Sequence, residues 1–505
     1  MNPKSREELV SAVAAPPKEE AAPPPALAGE TRPGEVLFPD DGGFEKARTA
    51  VWNLDQCGMP AVIVKCARAT DVAAAIAYAK TNSLKICVHT AGAHSGHAVV
   101  TGAVVVDLSL LRGVVVDPSA KTANVAGGAT IGDVDAATKP HGLALPMGHV
   151  HHTGVAGMAL NSTSGVGYLC RTRGLTVSYL KAVTMVTADG SVKTVSETEN
   201  PELLWAVRGS GSNFGIALEM VFDLSVISPK IYCGDLVKFG KGTGPGKFLW
   251  CINSKQTREE LVMKWFDFFS DETTPDECSS LLVLTPQNGP VVSRITYIPS
   301  EADSGLPEAE ILAKGKEAFR PLAEYGYTLA NSTKVDGYHD GLQKMAAFEP
   351  SHFYQKGVLA ADFPPEKFPS VVDELCSLVE ACPVNNMGSG VITMPLAGAL
   401  KRTKDGTTAT GSCLKTTKWW IIIIAEFPKG KANPGVRDEC VRWVKDVYKL
   451  LGPFAVRDEG RKPDKDFEVY GDLYGSQELV DRLRALKTQH DPENVFSLNR
   501  NIAPN

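Results

Sequence analysis

The stretch LLWAVRGSGSNFGIALEMVFDL, residues 203–224, decides how the rest of the chain is read. Apolar residues at helical spacing lead into a run of small residues, Arg208 to Gly215, and a strand of alternating character follows. A Walker loop would continue with Gly-Lys-Ser or Gly-Lys-Thr, and none follows. A Rossmann turn runs from strand through glycines into helix, the reverse of the order here. These glycines belong to neither motif.

Two upstream segments are built from the same materials. KICVHT reads as a strand that runs into the small-residue loop of VHTAGAHSGHA, residues 88–98, from which His94 projects. Small residues let backbone N–H groups approach a phosphate or a flat ring. Alone, a histidine in such a loop is more often a turn or packing residue. The second segment, GHVHHTGVAGMALNSTSGVGYLCRTRGLT (148–176), carries Gly154, Gly157, Gly165, Gly167 and Gly174. Val155, Met158, Leu160, Val166 and Leu169 are interleaved with them, which a solvated linker would not carry.

With 505 residues, 43% hydrophobic and 22% charged, the chain has the makings of a soluble protein of about two to four domains. A net charge of −6 argues against nucleic acid or an anionic membrane as the partner. The apolar run Trp419 to Ala425 is too short to span a bilayer and reads as a buried strand. Eleven cysteines show no metal-type spacing, so no metal is expected. The N-terminus has no apolar signal region, which predicts an intracellular, cytoplasmic protein with free thiols.

Composition divides the chain four ways. Residues 1–45, rich in Ala and Pro, read as a disordered tail. Residues 46–227 read as two small α+β subdomains. Residues 228–455, with strands such as SRITYIP and WWIIIIAEF between amphipathic helices, read as a separate domain with one antiparallel sheet backed by helices. Residues 456–505 return to helix and loop.

In this order and spacing the glycine segments resemble the FAD-binding domain of the berberine-bridge-enzyme-like oxidases, of the vanillyl-alcohol-oxidase, or PCMH-type, superfamily. The resemblance rests on GAHS (92–95), GVAG (154–157), RTRGL (171–175), TADG (187–190) and NPELLWAVRGSGSNFG (200–215). At the C-terminus it rests on Tyr470, Lys487, DPENVF (491–496) and NRNI (499–502). The implied fold is α+β: a two-subdomain FAD-binding domain over 46–227, an inserted substrate domain over 228–455, and a C-terminal segment, 456–505, that returns to the first domain.

The resemblance places His94 where the family links the flavin 8α carbon to a histidine. Val150 stands where many members carry a second, cysteinyl link, so a single covalent bond is expected. Gly92, Ala93, Ser95, Gly154, Val155, Gly157, Gly165, Gly167, Asn213, Gly215, Ile216, Asn499 and Asn501 fall on positions expected to line the cofactor. Tyr470 falls on the family's base, and a phenol needs a nearby cation to work as one; Lys415 and Lys418 are the candidates. Trp419, Trp420 and Tyr354 are candidates to stack on a sugar. Several positions depart from the family: Thr90 replaces an arginine, and Asn161-Ser162-Thr163-Ser164 replaces a triple glycine. The implied activity is an oxidase that takes hydride from an alcohol or sugar hemiacetal, an oligosaccharide being the best single guess, with O2 as electron acceptor. A dehydrogenase using another acceptor and a non-catalytic FAD-binding relative are the alternatives.

Overall fold

The computed structural model describes residues 3–15, 24–27, 32–92, 97–161, 165–241, 255–287, 289–343, 349–402, 407–409, 415–428, 434–456, 469–470, 477–498 and 501–505. The fold is α+β and is organised around three main sheets.

The first sheet has four strands in the order Glu35–Leu37, Val62–Lys65, Val104–Asp107 and Ile86–His89. The last three run parallel, and the helix Ala69–Thr81 makes the crossover between two of them. Val62, Val64, Val104 and Val106 are fully buried, as the valine runs of a parallel sheet covered on both faces should be. The second sheet has five antiparallel strands, with Ile216–Asp223 at its centre between Thr122–Ala126 and Leu180–Val186.

The chain passes from Ser225–Val226, paired with Leu143–Ala144, into Lys230–Lys238, the first strand of a nine-stranded sheet. Strand Trp419–Phe427 shows how this sheet is built. Trp419, Ile421, Ile423, Ala425 and Phe427 are buried, while Trp420, Ile422, Ile424 and Glu426 on the other face are half-buried. The buried set packs in one core with residues of the helices Arg258–Ser270, Glu308–Ala323, Phe368–Glu380 and Pro434–Leu451. The strand's period of two thus separates a packed core from a second face. Trp419 belongs to the core, and half-buried Tyr354 packs against the same cluster.

Two expectations need correction. Residues 3–14 are no disordered tail: Pro3–Ala14 is a helix with Leu9 and Val13 buried against the first subdomain. Arg6 pairs with Asp40 and Asp41, and Arg68 donates to the carbonyls of Val13 and Ala15. The prolines around this helix dominated the composition and hid a Leu9/Val13 pair at i, i+4. Residues 456–505 do not return whole to the first domain either, since Val469–Tyr470 adds to the nine-stranded sheet beside His352–Ala360.

After that strand the chain does return. Helix Gln477–His490 lies on Pro201–Ser210, with Arg482 3.7 Å over the Trp205 ring and paired with Glu202. Lys487 is fully buried and donates to Asp491 Oδ2 (2.6 Å), the Asn213 carbonyl (2.8 Å) and the Phe496 carbonyl (2.9 Å). Asp491 accepts in turn from the amides of Val495 and Phe496. Lys487→Met should leave that carboxylate buried without its cation, at a cost of about 3–5 kcal/mol. A urea melt of the variant should show the loss, and Lys487→Met with Asp491→Leu should recover part of it.

A second buried pair sits at the end of the first sheet. His89 Nδ1 faces Asp107 Oδ1 at 3.1 Å and Nε2 faces the Ala50 carbonyl at 2.7 Å. Both partners accept, so the ring must carry both protons. Burial opposes the charge, but the hydrogen bond and charge of Asp107, with the Ala50 carbonyl, outweigh it and raise the His89 pKa. The Asp107 pKa is lowered: burial opposes this too, and the His89 hydrogen bond and charge overcome it. A raised histidine contributes stability that is complete below its unfolded value of about 6.5 and is lost as pH rises through the folded value. Melting temperature should therefore decline as pH climbs above neutrality, and His89→Phe should flatten that decline.

Candidate active site

A cavity of about 1420 Å³ lies where the three sheets meet. Pockets for one small ligand are usually about 300–1,000 Å³, so this one has room for a large cofactor and a substrate together. One wall comes from the strand end Ile86 to Thr90, a second from the 148–161 loop and from Ser212 to Ala217, and the third from the half-buried face of the nine-stranded sheet.

Glycine brings the first two walls together. A β-carbon on Gly92 would collide with the Gly154 nitrogen and the His152 carbonyl, and one on Gly154 would strike the Thr90 hydroxyl. Thr90, where the family carries arginine, is the residue packed on Gly154. Gly157 differs: no atom lies within 4 Å of its missing β-carbon, and it lines the cavity.

The predicted cofactor residues divide accordingly. Gly154, Gly157, Gly165, Gly215 and Ile216 line the cavity. Gly165 and Gly215 also sit where a β-carbon would strike Thr176 and Met185 respectively, and Gly167, packed on the Met147 carbonyl, does not line the cavity. Val155 is a core residue. Asn213 is buried away from the cavity, where its carbonyl receives Lys487 and its Oδ1 receives the Ile502 amide at 2.9 Å. That placement corrects its expected contact with the cofactor. Asn501 does not line the cavity. Ala93, His94, Ser95 and Asn499 lie outside the described residues, although Thr90 and His97, on either side of the His94 loop, both line the cavity.

The expected cations are elsewhere. Lys418 is held by Asp362, which also receives the Ser270 hydroxyl at the end of helix Arg258–Ser270, and it does not line the cavity. Lys415 does not line it either. The backbone of Tyr470 pairs with Val358, on a strand that contributes to the cavity wall. Trp420 and Tyr354 line the cavity and Trp419 does not.

A polar group on the wall is not among the residues expected from sequence. Asp235 and Arg294 are register partners on neighbouring strands and form a bidentate pair at 2.7 and 2.6 Å. Arg294 also bonds to Tyr168, whose ring meets His149 edge-on with centroids 4.3 Å apart. All four line the cavity. Burial, with the Arg294 charge, pushes the His149 pKa down to about 3, so the imidazole is neutral. The available signals were the GHVHH cluster and a lone arginine inside the apolar strand SRITY.

Does such a cavity suit FAD? Among the described residues, Gln56 Oε1, His149 Nε2 and Ser212 Oγ are buried, have no hydrogen-bond partner, and belong to residues lining the cavity. Buried polar atoms seldom go unpaired in a complete assembly, so a polar ligand belongs there. A flat, polar-edged dinucleotide fits these donors and acceptors and the open face at Gly157. Among the described residues no group of side chains could hold a metal ion, and no helix is long and apolar enough to cross a membrane.

Residues 60–196 match the FAD binding domain family, and residues 462–503 match the family described as berberine and berberine like. An FAD-linked oxidoreductase of Dictyostelium discoideum is 27% identical over 458 residues, covering 90% of this chain and 91% of its own. The (R)-6-hydroxynicotine oxidase of Paenarthrobacter nicotinovorans is 38% identical over 202 residues, 40% of this chain and 43% of the relative. In fold, the crystal structure of 6-hydroxy-D-nicotine oxidase from Arthrobacter nicotinovorans matches with a TM-score of 0.76 at 24% identity, over 95% of this chain and 99% of that one. The xylooligosaccharide oxidase of Myceliophthora thermophila matches with a TM-score of 0.70 at 20% identity, over 95% and 98%. With its paired glycine loops, its C-terminal return and its two-sided sheet over one large cavity, the chain is an FAD-dependent oxidoreductase that carries an FAD binding domain and a berberine-like C-terminal segment.

Proposed function

We propose that the protein oxidises the CH–OH group of an alcohol or sugar hemiacetal, with FAD bound through His94 and O2 as the final acceptor. The observation that carries this is the cavity itself, which joins both glycine loops to the sheet that would hold a substrate. The substrate carbon gives up a hydride and its hydroxyl a proton, leaving a carbonyl; O2 takes two electrons and two protons and becomes hydrogen peroxide. FAD, when bound, supplies the two-electron acceptor between them.

This chain's residues hold and orient. The loops around Gly92, Gly154 and Gly157 bring backbone close to the cofactor, and Gln56, His149 and Ser212 offer it polar atoms. The nine-stranded sheet holds the reacting carbon in place, where proximity lowers the barrier. Tyr470 takes the hydroxyl proton in this reading. Its support is the match to the family's C-terminal pattern and a backbone position beside a strand of the cavity wall. Lys418 is tied to Asp362, so the cation favouring that proton transfer must be another.

His94→Ala should release the flavin on acid precipitation, whereas the wild-type pellet should stay yellow. A flavin peptide from the wild type should carry one histidyl bond, since Val150, which lines the cavity at the second link position, cannot form the other. Colour retained in the His94→Ala pellet, or a second bond, would count against the assignment. Tyr470→Phe should slow anaerobic flavin reduction by about 10²–10⁴-fold with the flavin spectrum unchanged. A wild-type rate in that variant removes Tyr470 from the role.

A further inference from the structure

We infer that the substrate is a neutral, largely apolar alcohol, of the aryl- or alkyl-carbinol class, with few hydroxyls beyond the one oxidised. The inference rests on the CH–OH reading above and narrows it. Leu281, Val283, Val292, Ile392, Ile422 and Ile424, from four adjoining strands, line the cavity, and Trp420 continues the same surface. They occupy the alternate positions of their strands that face away from the helices, so this is a built wall and not a gap in the core.

Several of the polar side chains beside them are already engaged, while Tyr354, Gln355 and Glu426 line the same cavity. Arg294 is bound bidentately by Asp235 and bonds to Tyr168. The Thr285 hydroxyl donates to the Pro290 carbonyl at 2.7 Å. The Ser389 hydroxyl accepts from the Glu426 amide at 2.8 Å. Lys356 lies 4.7 Å over the ring of Tyr448, a residue of helix Pro434–Leu451. His149 is neutral, and the charge of Arg294 is cancelled by Asp235.

A sugar buried against such a wall would leave hydroxyls unpaired, each weakening binding about five- to a hundredfold. An apolar carbinol has one hydroxyl to satisfy, and each buried methylene tightens binding about fourfold. The chemistry is that of the parent reading: hydride to the flavin, the hydroxyl proton to the base, and a ketone or aldehyde as product.

The holoenzyme tests this. Anaerobic flavin reduction and calorimetric binding are measured with benzyl alcohol, its para-methyl, para-ethyl and para-propyl homologues, and with xylobiose and cellobiose. Expected are reduction by the benzyl series, affinity rising severalfold per methylene, and at least tenfold weaker binding of both sugars. Ile422→Asn should weaken the longest homologue at least tenfold and flatten the series. Reduction and tight binding by a sugar, with no trend along the series, would overturn the inference and leave CH–OH oxidation standing. Failure of every compound to bind or reduce the flavin would remove both.

Discussion

The buried ammonium of Lys487 is the point on which the geometry of the site depends. It stands 274 residues from Asn213, yet it donates to that residue's carbonyl and closes the turn that carries the second glycine-rich wall. Asn213 answers with its side chain, accepting the Ile502 amide. One lysine and one asparagine thus hold the C-terminal segment against the Gly211–Gly215 turn, and Ser212, Gly215 and Ile216 face the cavity from there. Burial lowers the Lys487 pKa, opposed by the hydrogen bond and charge of Asp491, and three acceptors surround the charge. A buried charge so fully satisfied adds little net stability but fixes one arrangement, because every alternative leaves an ion without partners.

The nine-stranded sheet solves a different problem with one device. Each strand must supply a core for four helices and also a cavity wall, and a period of two allows both from one sequence. Trp419 and Trp420 are neighbours in the chain and opposite in role: the first packs among Trp265 and Phe266, the second meets the cavity. A slip of one residue in register would exchange the two surfaces along the whole strand. Pairing on both sides, with His352–Ala360 and Gly390–Pro395, prevents that slip.

Much of this was legible in the sequence because glycines and alternation leave strong local marks. The glycine loops, the C-terminal motif and the alternating strand WWIIIIAEF follow from residue types at short spacing. What the sequence hid depends on distant contacts. Asn213 reads as a cofactor ligand until Lys487 and Ile502 appear beside it. Lys418 reads as an active-site cation until Asp362 takes it. Most of the glycines read as cradling a ligand, whereas Gly92, Gly154 and Gly167 make room for other backbone and side chains of this same chain, and Gly157 opens on the cavity. The His149–Tyr168–Arg294–Asp235 group joins residues from two domains, and no local pattern announces it.

The same wall constrains where a base can stand. Hydride loss from a carbinol requires its hydroxyl proton to leave, and aliphatic side chains solvate no ion. His149 can accept a hydrogen bond but holds a proton poorly, its pKa pushed down to about 3 by burial and the Arg294 charge. Arg294 shares its charge with Asp235, so it stabilises a nearby anion only weakly. An ionising group set among Val283, Ile392 and Ile422 would meet the full cost of desolvation. The edge of the sheet escapes this cost: there Val469–Tyr470 adds in parallel to Gly357 and Val358, from a segment separate in sequence from the wall strands. In the proposed reaction, a base supplied from that edge would leave the apolar surface to the substrate, so that substrate fit and proton removal would rest on different parts of the chain.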